Sequence, residues 1–246
     1  MTEKKSNKGI YVLILICGII IGAVGAVLVM NSMNKSNTSE TQETQVESVN
    51  DAQTQESETI VADDPIPTDE TELVVLKVND AEVTMKEVNI YMYQLRDFYT
   101  AQYGEAPWDV EMEDGTTVRD YAKDELKKGL IRAEILISKA DEYNVTLTDE
   151  DKQVCAEEAK SYIASIGPVI CQDFGLTEEA DRIVKEKQFL STKVYNVVLD
   201  SLEASLEDTS DAALAEAFES LYNEWLQSYT VTEDPVWENI VMGSVG

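Results

Sequence analysis

Apolar positions follow several different patterns along the chain. From Leu73 to Val78 they alternate with polar ones well enough to predict a strand. Asn79-Asp80 then gives a turn, and Ala81 to Val83 a short returning strand. At Thr84 the period changes to that of a helix. Thr84 reads as an N-cap, Glu87 completes a capping box, and Val83 with Val88 forms a hydrophobic staple. Val88, Tyr91, Met92, Leu95, Phe98 and Tyr99 fall on one helical face, and Tyr103-Gly104 marks its end. Pro107 and Trp108 lie in the following loop.

Four more helices are expected. Thr117 with Asp120 begins the longest, with Val118, Ala122, Leu126, Leu130, Ala133, Ile137 and Ala140 spaced helically to about Tyr143. Thr148 with Asp151 caps the next, whose stripe is Cys155, Ala159, Tyr162 and Ile166, and Gly167-Pro168 stops it. Thr177 starts another, carrying Ile183, Leu190, Val194, Val197 and Leu202. Ser210 or Asp211 starts the last, with Leu214, Phe218, Leu221, Trp225 and Tyr229 inward. The tail has strand-like apolar residues at Val231, Val236, Trp237, Ile240 and Val241. The fold class is mainly α, with a small β element near each end.

Upstream of this body the patterns are different. Gly9 to Met30 is 22 residues without a charge, and Lys4, Lys5 and Lys8 precede it. A helix of that length crosses the ~30 Å hydrocarbon layer, and the lysines keep its N-terminus in the cytoplasm. A cleaved signal peptide competes with an anchor, but its apolar region usually spans only about 7–15 residues. Gly18, Gly22 and Ala26 form a small-xxx-small face of the kind that brings two membrane helices together, a candidate homodimer contact. Asn31 to Glu70 holds ten acids, one lysine and no aromatic residue. Such a segment buries too little surface to offset its chain entropy and reads as a disordered tether. The organisation is therefore a cytoplasmic N-terminus (1–8), an anchor in the cell membrane (9–30), an acidic linker (31–72) and one extracytoplasmic domain (73–246).

Charge and composition narrow the functions. A net charge of −29 argues against nucleic acid and anionic lipid as partners of the domain. The charge is uneven, with eleven acids and no base from Val194 onward. The chain has no histidine, which removes histidine-based triads and imidazole metal sites. Asp109, Glu111, Glu113 and Asp114 precede Gly115 like a calcium loop, but the glycine falls at position 7 rather than 6. No catalytic residue, metal site or cofactor is assigned.

The order of elements resembles a known family. The strand, tight turn and EVTMKEVNIYMYQL segment resemble the start of the SurA N-terminal-like domain, which also opens extracytoplasmic foldases of the PrsA type. GTTVRDYAKDELKKGLIRAEILISKADEYNVTLTDED, FGLTEEADRIVKEKQFLSTKV and TSDAALAEAFESLYNEW are similar to the parts that follow, so the resemblance covers roughly Val74 to Trp225. It implies a chaperone-like helical module that binds unfolded or secreted polypeptides and packs against a C-terminal segment. The parvulin isomerase domain of those foldases has no counterpart, because Ser210–Tyr229 runs almost directly into the tail. Three functions remain: a membrane-anchored holdase, an adaptor for one envelope protein, and a prolyl isomerase, the last disfavoured by the missing domain.

Two sets of residues are candidates for sites. Ile90 and Tyr93 point away from the main stripe of their helix. Either the C-terminal segment covers them, or they form a client-binding patch that Trp108 extends. Cys155 and Cys171 lie outside the membrane in this topology. They form a disulfide or remain two buried thiols.

Overall fold

The structure, a computed structural model, describes residues 72–103, 108–112 and 114–243. The expected anchor with Gly18, Gly22 and Ala26, and the linker as far as residue 71, lie outside the described residues. Among the described residues no helix is long and apolar enough to cross a membrane. They are mainly helical. Strands β1 (Val74–Val78) and β2 (Ala81–Thr84) lead into α1 (Met85–Tyr103), α2 (Val118–Ser138), α3 (Asp149–Ile166), α4 (Pro168–Asp173), α5 (Glu178–Glu203) and α6 (Asp211–Leu226). Strand β3 (Val231–Glu233) and a 3-10 helix, Pro235–Asn239, close the fold.

The capping signals act much as the sequence predicts. Thr117, Thr148, Thr177 and Ser210 each accept a hydrogen bond from the backbone N–H three residues on, and Thr148 with Asp151 makes a full capping box. At Thr84 only the return half forms. Its backbone N–H and its hydroxyl both donate to Glu87 Oε2, at 2.9 and 3.0 Å. Helix α2 stops at Ser138, short of Tyr143, and the chain turns through Asn144 in the left-handed region (φ 55°). Gly167-Pro168 ends α3 as expected. Pro168 then opens the short α4, because its missing N–H costs nothing at a helix start.

The two β elements belong to one sheet, of order β2-β1-β3, in which β1 pairs antiparallel with both neighbours. Leu76 lies opposite Glu233, and Val78 opposite Val231. The turn residue Asn79 fixes this closure. Its N–H donates to Thr230 O and its Oδ1 accepts from Thr230 N, both at 2.8 Å. One face of α2 then clamps the chain beyond. Arg119 donates to Met242 O, Lys123 to Glu238 O at 2.9 Å, and Lys127 to Glu233 at 2.7 Å. These cations are four residues apart, so they line one helical stripe. Trp237 and Met242 are fully buried beneath it and Ile240 nearly so.

Helix α5 is the centre of the bundle and packs on α1, α2, α3 and α6. Its buried residues divide between two apolar clusters. One holds the sheet, α1, the first half of α2 and the C-terminal segment, with Ala180 and Val184. The other holds Ile135 and Leu136 of α2, Val194 and Val198 of α5, and Phe218 and Tyr222 of α6. Leu190, Val197 and Leu202, expected on the inner face of α5, are only half-buried, whereas Gln188, Ser191 and Thr192 are inside.

Candidate functional site

An exposed patch at Ile90, Tyr93 and Trp108 is not what the fold contains. Ile90 is fully buried, Tyr93 is 6% exposed and Trp108 is 4% exposed. Helix α1 lies between layers, so a second apolar face has a partner of its own. Asn89 Nδ2 donates to Phe174 O at 3.1 Å, joining α1 to the end of α4. Burial raises the Tyr93 hydroxyl pKa, as does nearby Asp97, with a smaller contribution from Cys171 on α4. The C-terminal segment covers Trp108. Gly243, at φ +78°, lies so close to the indole that any Cβ there would overlap it. The Trp108 ring also packs edge-on against Tyr99, 5.0 Å between centroids.

Both cysteines are free thiols. The thiol of Cys171 donates to Ile163 O at 3.6 Å. Ile163 is eight residues beyond Cys155 on α3, about 12 Å along the axis. The two sulfurs therefore cannot meet at bonding distance without unwinding that helix. Burial, aided by Glu186 and Glu158, pushes the Cys155 thiol up to about 11, which keeps it protonated and unreactive. In the acidic loop, Asp109 pairs with Arg119 at 3.0 Å and Asp114 accepts from Thr116. No cluster suited to a metal ion occurs among the described residues.

Two buried polar assemblies hold the helices in place. Lys187 on α5 donates to Glu87 at 2.5 Å, Glu134 at 2.8 Å and Glu82 O at 3.3 Å, using all three ammonium donors. Burial raises the Glu134 carboxyl above its usual range, against the pull of Lys187. Nearby, Asp181 Oδ1 accepts from Gln94, whose own Oε1 accepts from Gln188. Lys185 stands 3.8 Å from Asp181 Oδ2, and burial pushes this carboxyl up to about 6. None of these groups lines the cleft between α2, α5 and α6; they act as interhelical ties.

The opening lies elsewhere, between α2, α5 and α6. It has a volume of about 360 Å3. Helix α6 rests on α5 but reaches α2 largely through long side chains. Arg132 Nη2 donates to Glu219 at 2.8 Å, and Ser138 Oγ meets Tyr229 OH at 2.5 Å beyond the end of α6. Gly129, Ala133 and Leu136 form the α2 wall, at spacings of four and three. Ser191 and Tyr195 contribute from α5, and Glu219, Tyr222, Asn223 and Leu226 from α6. Arg132 lies over the Tyr222 ring, 4.5 Å from its centroid, and Tyr195 packs edge-on against Phe218 at 4.6 Å. The aromatic walls are thus fixed by their neighbours.

Gly129 lines the cleft. It stands in the middle of a 21-residue helix, where glycine costs about 1 kcal/mol relative to alanine. Its φ is helical, so no turn requires it. With no side chain there, the helix backbone itself forms that part of the cleft wall. A glycine inside a helical pattern is a readable signal, and it is the mark by which this site stands out in the sequence. Arg132, Tyr195 and Tyr222 carry no comparable mark, because their juxtaposition depends on how α6 settles on α5.

The cleft is concave and mostly apolar, with a shape and lining that could accommodate a ligand side chain. It offers apolar and aromatic surface and a few fixed polar groups at the rim. Its charged lining groups are internally paired: Lys128 with Glu125 at 2.6 Å, and Arg132 with Glu219. No protein-family model matches the chain, and no match was found among curated proteins or solved structures.

Proposed function

We propose that residues 73–246 act as a chaperone-like holdase of the SurA N-terminal-like kind, binding unfolded or exported polypeptides without prolyl-isomerase catalysis. The anchor at 9–30 and the linker at 31–72 would hold this domain outside the cell membrane. The observation that carries the reading is the apolar, aromatic-walled cleft that Gly129 lines. The sequence order that resembles those foldases supports it, as does the continuous run of α6 into β3, which leaves no room for a parvulin domain.

Magnitudes fit a holding role. Seating one large apolar side chain in the cleft contributes about 1.5–3 kcal/mol. That alone is weaker than millimolar affinity, so useful binding draws on further contacts along an extended chain and remains readily reversible. A second reading, an adaptor for one envelope protein, draws support from the same volume. About 360 Å3 suits one or two side chains rather than a long, permissive groove.

The test is suppression of aggregation by the full chain in mild non-ionic detergent, using several chemically unfolded proteins. Wild type suppresses aggregation of all of them. Gly129→Leu fills the cleft and weakens the effect severalfold, while its melting temperature stays equal or rises because a helix glycine is removed. Activity toward only one test protein would favour the adaptor. No suppression by wild type would end the holdase reading.

A further inference from the structure

We propose that the cleft selects polypeptide segments in which a large apolar side chain is flanked by Lys or Arg. This deepens the holdase reading and rests on it. Lys128 and Arg132 on the α2 side are neutralised by Glu125 and Glu219, so the lining itself presents no net charge. The surface beside it is not balanced. From Val194 onward there are eleven acids and no base. Among the described residues only Glu219 and Glu233 of these form salt bridges.

Two of the remaining nine stand next to the opening. Glu216 is three residues before Glu219, about 4.5 Å along α6 and on nearly the same face. Glu224 directly follows Asn223, which lines the cleft. Both are exposed and have no salt bridge among the described residues. At physiological salt the screening length is about 8 Å. Helix spacing sets both carboxylates about a turn or less from residues that line the mouth, a separation comparable with that length. An apolar anchor in the cleft therefore places its chain neighbours in a local negative field. Lysine or arginine is favoured there, and Asp or Glu is repelled.

The experiment uses fluorescence anisotropy with the full chain in mild non-ionic detergent. Four labelled nine-residue peptides serve as probes. Three have a central Phe flanked by Lys pairs, Ser pairs or Glu pairs, and the fourth has Lys pairs around a central Ala. At 20 mM salt the Lys-flanked Phe peptide should bind at least fivefold more tightly than the Glu-flanked one, with the Ser-flanked peptide between. At 0.5 M salt the gap should fall below twofold. Glu216→Gln with Glu224→Gln should bring the Lys-flanked value close to the Ser-flanked value. Equal binding of the three Phe peptides overturns the charge preference and leaves the holdase reading standing. Equal binding of the Lys-flanked Phe and Ala peptides shows attraction without use of the cleft, and also overturns the proposal. Binding of no peptide, or binding indifferent to Gly129→Leu, removes the reading on which it rests.

Discussion

Replacing Lys187 by methionine should unpin the domain at its centre. The side chain is 23% exposed and its partners Glu87 and Glu134 are each 6% exposed. Methionine keeps much of the length and apolar volume, so the loss is chiefly that of the charge and its three hydrogen bonds. Two carboxylates then remain buried without their cation, and breaking such a pair costs about 3–5 kcal/mol. For a domain of this size each 1 kcal/mol moves the melting temperature by about 2–4 °C, so a drop of roughly 6–20 °C is expected at pH 7. The effect has a pH signature. Burial already holds Glu134 above its usual value against the pull of Lys187, and without Lys187 its folded-state pKa rises further. A carboxylate with a raised folded pKa favours the folded state at low pH and loses that contribution as pH rises through it. The variant should therefore approach wild type between pH 7 and pH 4.5. Adding Glu134→Gln should recover part of the loss, a coupling read by a double-mutant cycle. Thermal melts of the full chain at both pH values supply the measurement. A change within 0.5 kcal/mol at pH 7 would show that the triad does not tie α5 to α1 and α2.

Ending the chain at Thr230 removes Trp237, Ile240 and Met242, each buried to 5% exposure or less. At ~1.5–3 kcal/mol apiece this forfeits about 5–9 kcal/mol, comparable with the whole stability of a domain. Cooperative melting should disappear, and its retention would make the segment an appendage. Asp181→Asn should act as a pH-dependent stabiliser. The folded pKa of about 6 lies above the usual 3.8, so wild type loses stability as pH rises from about 4 to 6. A shift of about two units sets a ceiling of ~3 kcal/mol, reduced by the Lys185 charge left behind. The melting-temperature advantage of the variant should grow from pH 4 to pH 7, and an unchanged difference would refute the burial argument. Cys155 should resist alkylation in the folded chain, since its thiol titrates near 11; modification as fast as that of an unfolded peptide would contradict the packing of α3.

The helices were legible because their boundaries are written locally. Threonine caps, Gly167-Pro168 and the stripes of α1 and α2 depend on neighbours three or four residues away. The inner face of α5 was only partly legible, with Val194 fully buried as expected. Hydrophobic periodicity points to Leu190, Val197 and Leu202, yet these are half-buried and Gln188, Ser191 and Thr192 are inside. A helix covered by four others has no single apolar stripe, and its polar groups can go in where Gln94 and the helix's own carbonyls satisfy them. The same limit left Ile90 and Tyr93 open between a covered face and an exposed patch, and the structure buries both. One stripe was credited to α1, whereas the bundle gives it partners on two sides. Pairing of β3 with β1 is a contact between residues about 150 apart, and no local pattern encodes it. The cleft had one sequence signal, Gly129, and its meaning emerges only when α6 is placed opposite.

A holdase built this way must seat the unfolded chain in that cleft. A photo-crosslinking residue at Asn223, on the cleft wall, should capture an unfolded test protein in the full chain, and capture should fall sharply with Gly129→Leu. The same probe at Val169, 70% exposed on α4, should capture little. Equal capture at both positions, or none at Asn223 while aggregation is still suppressed, would contradict the assignment of the cleft as the client site.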